Sequence, residues 1–289
     1  MSERIITSGS IKEVIVDAIG EIFCQPQAET LELLKQAWGR EEDEIARDML
    51  EAMLKNTELA AAEGVPLCQD TGLVIVFAEL GADVRIAGGC LRDIIERGAA
   101  EAWSKFYLRD SIAMDPLRGR TGIPLPGKPS DRIPVILHID HAEGDRITLH
   151  IALKGGGAEN CSVLKMFDPT ASLDEIEDFI SDTVVNAGGK PCPPVTVGVG
   201  IGGDFEYCAV LAKKALLLPE SSMSEEKGII EMESRLLDKI NARGMGVQGF
   251  AGRTTALEVS ILTAPCHIAS LPVAVNIDCH AHRCATRII

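Results

Sequence analysis

The sequence predicts an α/β protein, with a helical N-terminal portion followed by a mixed-sheet α/β portion, in one domain spanning residues 1–289. Three observations carry that expectation. The first third repeats apolar residues at helical spacing. From Val135 onward, short alternating or continuous apolar runs stand between Gly- and Pro-rich turns, the pattern of strands. Further helical runs interleave with those strands, as a layered α/β core requires.

The elements follow in chain order. Ser10 with Glu13 fits a capping box ahead of an apolar-periodic run, Ile11 to Phe23. A second helix fits Thr30 to Trp38. A third starts near Glu41 and carries Ile45, Met49, Leu50, Met53 and Leu54 on one face, with Glu41 to Glu44 crowding the first turn, where the helix dipole favours carboxylates. Gly64-Val65-Pro66 breaks the pattern, and Leu73 to Phe77 reads as a buried strand. Leu91 to Phe106 is helical. A Pro- and Gly-rich loop, residues 115–134, cannot continue a helix or a central strand and marks a candidate subdomain boundary. Val135 to Asp140 and Arg146 to Leu153 alternate as strands, joined by the turn residues Ala142 to Asp145 as a hairpin. Ser172 and Glu175 cap a helix through about Ala187. Val195 to Ile201 is a strand, Gly202-Gly203 leads into a helix to Leu217, and a charged helix fits Glu225 to Ala242. Leu257 to Thr263 and Val273 to Ile277 close the chain as strands.

Composition excludes several classes. Net charge is -15, which repels nucleic acid and anionic membranes as main partners. Aromatic residues are only 4%, too few for a base-stacking surface. No apolar run reaches the ~18 residues of a membrane span, and the opening MSERIITSGS has no signal-peptide apolar region, so a cytoplasmic location is expected. Fourteen acidic against six basic side chains fall within residues 1–64, which reads as a solvated helical face. The nine cysteines are odd in number and widely spaced, with no C-x-x-C. That argues for a reducing compartment and against a disulfide framework or zinc ribbon.

Four places concentrate reactive side chains. PLCQDTG (66–72) sets a thiol, an amide, a carboxylate and a hydroxyl in a turn just before a buried strand. KGGGAEN (154–160) joins a lysine to three glycines able to turn N–H groups inward as an anion nest. GGKPCPP (188–194) holds a thiol between prolines, in what reads as an extended, rigid segment. Cys266-His267 precedes Cys279-His280-Ala281-His282-Arg283, whose two histidines read, taken alone, as surface residues at a strand end. Cys24, Cys90 and Cys208 sit on helical runs and read as small buried hydrophobes. The loop thiols suggest a metal or cluster site. The nest and basic residues suggest an anionic small molecule.

Taken together and in this order, PLCQDTG, KGGGAEN, GGKPCPP with GVGIGG, and HIASLPVAVNIDCHAHR resemble the cluster-binding portion of the iron–sulfur hydro-lyases. These are the class I fumarases and the related L-tartrate dehydratase alpha subunit, and the resemblance spans about residues 10 to 285. It implies one [4Fe–4S] cluster held by Cys68, Cys192 and Cys279, with one iron left open to act as a Lewis acid. It places Gln69, Asp70, Arg109, Gly157 and His267 around the substrate. Arg109 matches the family's carboxylate-binding arginine, Asp70 an acid–base relay and His267 an orienting group, while Lys154 adds positive potential. Cys161 stands where single-chain relatives carry lysine, and no ligand role is carried onto it. Single-chain relatives continue into a second domain that completes the substrate site. The resemblance therefore implies a separate beta subunit, in an α2β2 assembly. The implied reaction is reversible hydration of a C4 dicarboxylate, with fumarate and malate first and tartrate to oxaloacetate as the alternative. A non-catalytic metal-binding scaffold is the reading from a different class.

Overall fold

In the computed structural model, which describes residues 3–113, 132–217 and 226–289, the chain contacts separate two units. One comprises Met1–Gln27, Thr57–Gly155 and Arg283–Ile289, the other Ala28–Asn56 and Gly156–His282. Most of the 115–134 loop lies outside the described residues. Among the described residues, no helix is long and apolar enough to cross a membrane.

The first unit opens with β1 (Arg4–Thr7), parallel to β3 (Val84–Ala87), a two-stranded pair the sequence pattern did not reveal. Helix α1 (Ser8–Ile22) starts earlier than the Ser10–Glu13 box suggests. Thr7 is the cap, its Oγ1 accepting the Ser10 N–H at 3.2 Å. Thr7 ends β1 with extended backbone, so the chain turns into the helix there. The buried stripe of α1 is Ile11, Ile15, Val16, Ala18, Ile19 and Ile22. It packs on α4 (Leu91–Lys105), where a Cβ on Gly98 would stand 2.9 Å from the Ile15 side chain. The main sheet has the order β10-β5-β2-β4, with β2 (Leu73–Gly81), β4 (Val135–Ala142), β5 (Ile147–Lys154) and β10 (Cys284–Ile288). The expected hairpin is not formed. β2 lies between β4 and β5, parallel to the first and antiparallel to the second. Val74 to Ala78 are buried on both faces, and such a run gains most in the middle of a sheet.

In the second unit the sheet order is β6-β9-β7-β8: β6 (Val163–Phe167), β9 (Leu271–Asp278), β7 (Val195–Gly202) and β8 (Ala256–Ala264). β7 and β8 are parallel, and β9 is antiparallel to β7 and β6. The period of two sorts the faces. Val197, Val199, Ile261, Val275 and Ile277 pack with Ile180 and Val184 of α6 (Leu173–Ala187) and with Leu236 and Ile240 of α8 (Lys227–Arg243). On the other face, Gly198 and Gly200 admit α7 (Tyr207–Leu217) onto bare backbone. A Cβ on Gly200 would lie 2.0 Å from the Cys208 carbonyl oxygen. The Ser172–Glu175 capping box of α6 forms as expected.

Two helices complete this unit's core. α2 (Ala28–Arg40) and the first half of α3 (Glu44–Glu63) pack Leu34, Ala37, Ala46 and Leu50 with Val247 and Leu257. Only Glu44 of the acidic run lies in the first turn of α3, and Asp43 accepts the Ala46 N–H at 3.0 Å. Glu41 is buried instead, accepting N–H groups from Glu42, Asp43 and Arg253 at 3.0–3.1 Å. Three aimed N–H dipoles solvate a carboxylate better than the end of one helix does.

Candidate active site

Within the second unit, β9 ends in alternation that puts Asn276 and Asp278 on one buried face. Asp278, 2% exposed, accepts the Cys279 N–H on Oδ1 at 3.0 Å, and its Oδ2 lies 2.8 Å from Nδ1 of His282, which is 3% exposed. His282 is therefore a buried partner of a carboxylate, not the surface residue its sequence setting suggests. One residue past Cys279, His280 reaches back to the Cys192 carbonyl with its N–H at 3.4 Å and its Nδ1 at 3.0 Å. Nδ1 must carry the proton to donate there. The two thiol-bearing turns are thereby joined.

Cys192 is exposed and has a φ of 55°. Its prolines do not hold it extended, as the sequence suggests; it takes the left-handed conformation, and its N–H donates to the Gly189 carbonyl at 3.1 Å. The next carbonyl, that of Pro193, accepts both the N–H (2.8 Å) and the Nε2 (2.9 Å) of Gln248.

The glycine turn adjoins these. None of Gly155, Gly156 and Gly157 takes positive φ, so the expected nest conformation is absent from these residues. They lead instead into a single helical turn, α5 (Gly156–Glu159). A Cβ on Gly157 would lie 3.3 Å from the Lys190 carbonyl oxygen, so the bare Cα lets this turn approach the 188–190 turn. Asn276 braces it from below, its Nδ2 donating to Glu159 Oε2 at 3.1 Å and Ser162 Oγ at 2.7 Å. Glu159 also pairs with Lys213. Cys161 donates its thiol proton to the Gly157 carbonyl at 3.4 Å.

In the first unit the CQDTG turn stands between α3 and β2. The Asp70 Oδ1 accepts the Gly72 N–H at 2.9 Å, which fixes the carboxylate. Gly72 has a φ of 82°, and a Cβ there would stand 2.4 Å from the Lys154 carbonyl oxygen. Only glycine lets this turn lie on the end of β5. Lys154 itself is 1% exposed. The Cys68 Sγ lies 3.5 Å from Gln69 Oε1. Cys68, Gln69, Asp70 and Lys154 thus share one neighbourhood in the first unit, and Gly157, Cys192 and Cys279 share one in the second.

Arg109 and His267 are both exposed on loops of their own units. Arg109 is exposed after α4. His267 is exposed after β8, and its Nδ1 accepts the Ala269 N–H at 3.1 Å, which leaves the neutral ring's proton on Nε2. Among the described residues, neither is hydrogen-bonded to another predicted site residue.

The cysteines divide by environment. Burial pushes the Cys24 and Cys208 thiols up, and each donates to a carbonyl of its own helical region, that of Glu21 and of Phe205. Cys284 is buried against Gln27. Cys90 is the exposed N-cap residue of α4, not a buried hydrophobe. Cys68, Cys192 and Cys279 all lie on turns and none is buried. No disulfide forms among the described residues, which include all nine cysteines. No group of three or more His, Cys, Asp or Glu among the described residues is placed to grip a single metal ion. Accessible thiols on turns are the type of donor that an iron–sulfur cluster takes, each ligand binding its own iron. In side-chain chemistry and exposure each of the three suits such a group.

Gln248 lies outside every motif of the sequence, and Asn276, Asp278, His282 and Glu159 fall within motifs without a role being assigned to them there. The one local signal for the buried pair is the N-x-D alternation at the end of the apolar strand that runs into Cys279.

Comparison with known proteins adds the family. Residues 12–287 match the family model described as "Fumarate hydratase (Fumerase)". A protein of Methanocaldococcus jannaschii named "Putative L(+)-tartrate dehydratase subunit alpha" is 37% identical over 280 residues, 96% of each chain. L(+)-tartrate dehydratase subunit alpha of Escherichia coli O157:H7 is 28% identical over 283 residues, covering 96% of this chain and 90% of that one, and the Shigella sonnei protein of that name gives the same figures. With a match across nearly its whole length, the chain belongs to the fumarate hydratase (Fumerase) family, a family of hydro-lyases.

Proposed function

We propose that this chain is the cluster-binding, alpha-type subunit of an iron–sulfur hydro-lyase that adds water to, or removes it from, a C4 dicarboxylate. The observation that carries the reading is the joined pair of thiol-bearing turns, Cys192 and Cys279, linked through His280. With Cys68 they supply three thiolates for a [4Fe–4S] cluster. That cluster, when bound, supplies a Lewis-acid iron to stabilise departing hydroxide.

The chain's own residues do the rest. Arg109 captures a substrate carboxylate with its planar guanidinium. Asp70, its carboxylate fixed by the Gly72 N–H, moves the proton at the carbon next to a carboxylate. His267 presents Nε2–H as a donor. Gln69 and the Gly157 N–H orient the substrate, and buried Lys154 adds positive potential that stabilises the developing anion.

The relatives named as alpha subunits support a separate beta subunit; in this reading it completes the site, in an α2β2 assembly. The odd number and wide spacing of the nine cysteines suit a cytoplasmic enzyme. The substrate pair is malate and fumarate, supported by the family description. The names of the relatives favour a second reading, dehydration of L(+)-tartrate to oxaloacetate. The test is anaerobic co-purification with the beta subunit, followed by turnover of fumarate, malate and the tartrate isomers. Turnover of one of them, lost in Asp70→Asn, is expected. A fully loaded complex inert toward all of them refutes the proposal.

A further inference from the structure

We propose that His280 and Gln248 are positioning residues that hold Cys192 in the conformation in which it binds the cluster. This rests on the reading of Cys192 as a ligand, and the experiment below separates the two.

Cys192 is one of four non-glycine residues with positive φ among those described, alongside Tyr107, Gln248 and His282. An L-residue avoids that region because Cβ crowds the carbonyl, so something outside must fix it. The segment cannot do so itself. Pro191, Pro193 and Pro194 have no N–H, which leaves Cys192 with the only amide proton of residues 191–194, and that one goes to Gly189.

A further hold comes through two successive carbonyls, and each is taken by one residue twice over. His280 gives its N–H and its Nδ1–H to the Cys192 oxygen, and Gln248 gives its N–H and its Nε2–H to the Pro193 oxygen. Both lone pairs of each oxygen are then used. Gln248 is itself on a rigid loop. The Val247 N–H donates to the Ala251 carbonyl at 2.7 Å, and a Cβ on Gly249 would meet the Gly189 backbone at 2.6 Å. His280 follows Cys279 directly, so one imidazole sets the spacing of two thiol-bearing turns.

The test uses the full chain with its cluster assembled anaerobically. Cluster release to excess chelator is followed by visible absorbance, beside the melting temperature of the cluster-free chain. Loss of one positioning donor is expected to speed release roughly fivefold to tenfold in His280→Ala and in Gln248→Ala, with the melting temperature unchanged. His280→Asn, whose Nδ2 stands where Nδ1 stood, is expected to release at the wild-type rate. Release at the wild-type rate in both alanine variants overturns the proposal. So does faster release matched by a fall in melting temperature, or an asparagine variant no better than alanine. Gln248→Ala, on a separate loop, carries the same test should His280→Ala fail to fold. Cys192→Ser is the control. If it keeps its cluster at the wild-type rate, the ligand reading fails. If it loses the cluster while the alanine variants stay at the wild-type rate, only the positioning role fails.

Discussion

Replacing Asp278 by alanine should weaken the cluster-free fold far more than replacing it by asparagine. Asp278 is 2% exposed and serves two groups, the Cys279 N–H at 3.0 Å and His282 Nδ1 at 2.8 Å. Alanine removes both contacts. Losing the acceptor of a buried polar group costs about 1–3 kcal/mol, so two such losses cost at most about 2–6 kcal/mol. Cys279 is only half-buried, and water can reach part of that turn, which places the expectation at about 2–4 kcal/mol. Asparagine keeps Oδ1 for the Cys279 N–H and offers Nδ2–H to a neutral His282 ring, so its cost should stay within about 1 kcal/mol. Urea unfolding of the full cluster-free chain, followed by circular dichroism at neutral pH, measures both. Alanine within about 0.5 kcal/mol of wild type, or asparagine as harmful as alanine, refutes the view that β9 anchors the Cys279 turn.

Two further expectations concern the second unit's core. Gly200→Ala puts a Cβ 2.0 Å from the Cys208 carbonyl oxygen, so α7 must lift off β7. A loss of at least ~2 kcal/mol is expected in the same unfolding assay, and a neutral result contradicts the packing described. Glu233 tests a half-buried carboxyl. Burial pushes it up, the Ile261 N–H opposes that and Glu258 adds to it. Its folded value lies above its unfolded one, so its contribution is fully present below pH 4.5 and is lost as pH rises through the folded value. Glu233→Gln, which keeps an acceptor for Ile261, should therefore melt higher than wild type at pH 7, with the gap closing toward pH 4.5. A glutamine variant that melts lower at pH 7 contradicts this sign.

The elements that were legible in the sequence are those set by local pattern. Ile11 to Ile22 and Leu173 to Ala187 are helices because their buried faces repeat at helical spacing, and Val195 to Ile201 is a strand because it is apolar on both faces. Partnership is not local. The two strands around Ala142 to Asp145 were correctly expected, but the sequence pattern could not say that β2 enters between them. Thr7 took the cap from Ser10 because an unexpected strand, β1, delivers the chain there.

The site divides in the same way. Its motifs mark the turns that carry Cys68, Gly157, Cys192 and Cys279. The residues that shape those turns lie far off in sequence. Gln248 is 55 positions from Pro193, and His280 is 88 from Cys192. Two prolines beside a cysteine suggest extension, and the left-handed turn follows from hydrogen bonds that no local window contains. His282 reads as a surface residue at a strand end, and only the structure shows it buried and paired with Asp278.

The central claim is that Cys68, Cys192 and Cys279 hold an iron–sulfur cluster. Iron, acid-labile sulfide and zinc determined on anaerobically purified full chain test it most directly, beside Cys68→Ser, Cys192→Ser and Cys279→Ser. The account predicts about four iron and four sulfide per chain in the wild type and a near-complete loss in each serine variant. Stoichiometric zinc without iron or sulfide, or serine variants that load as the wild type does, would contradict it.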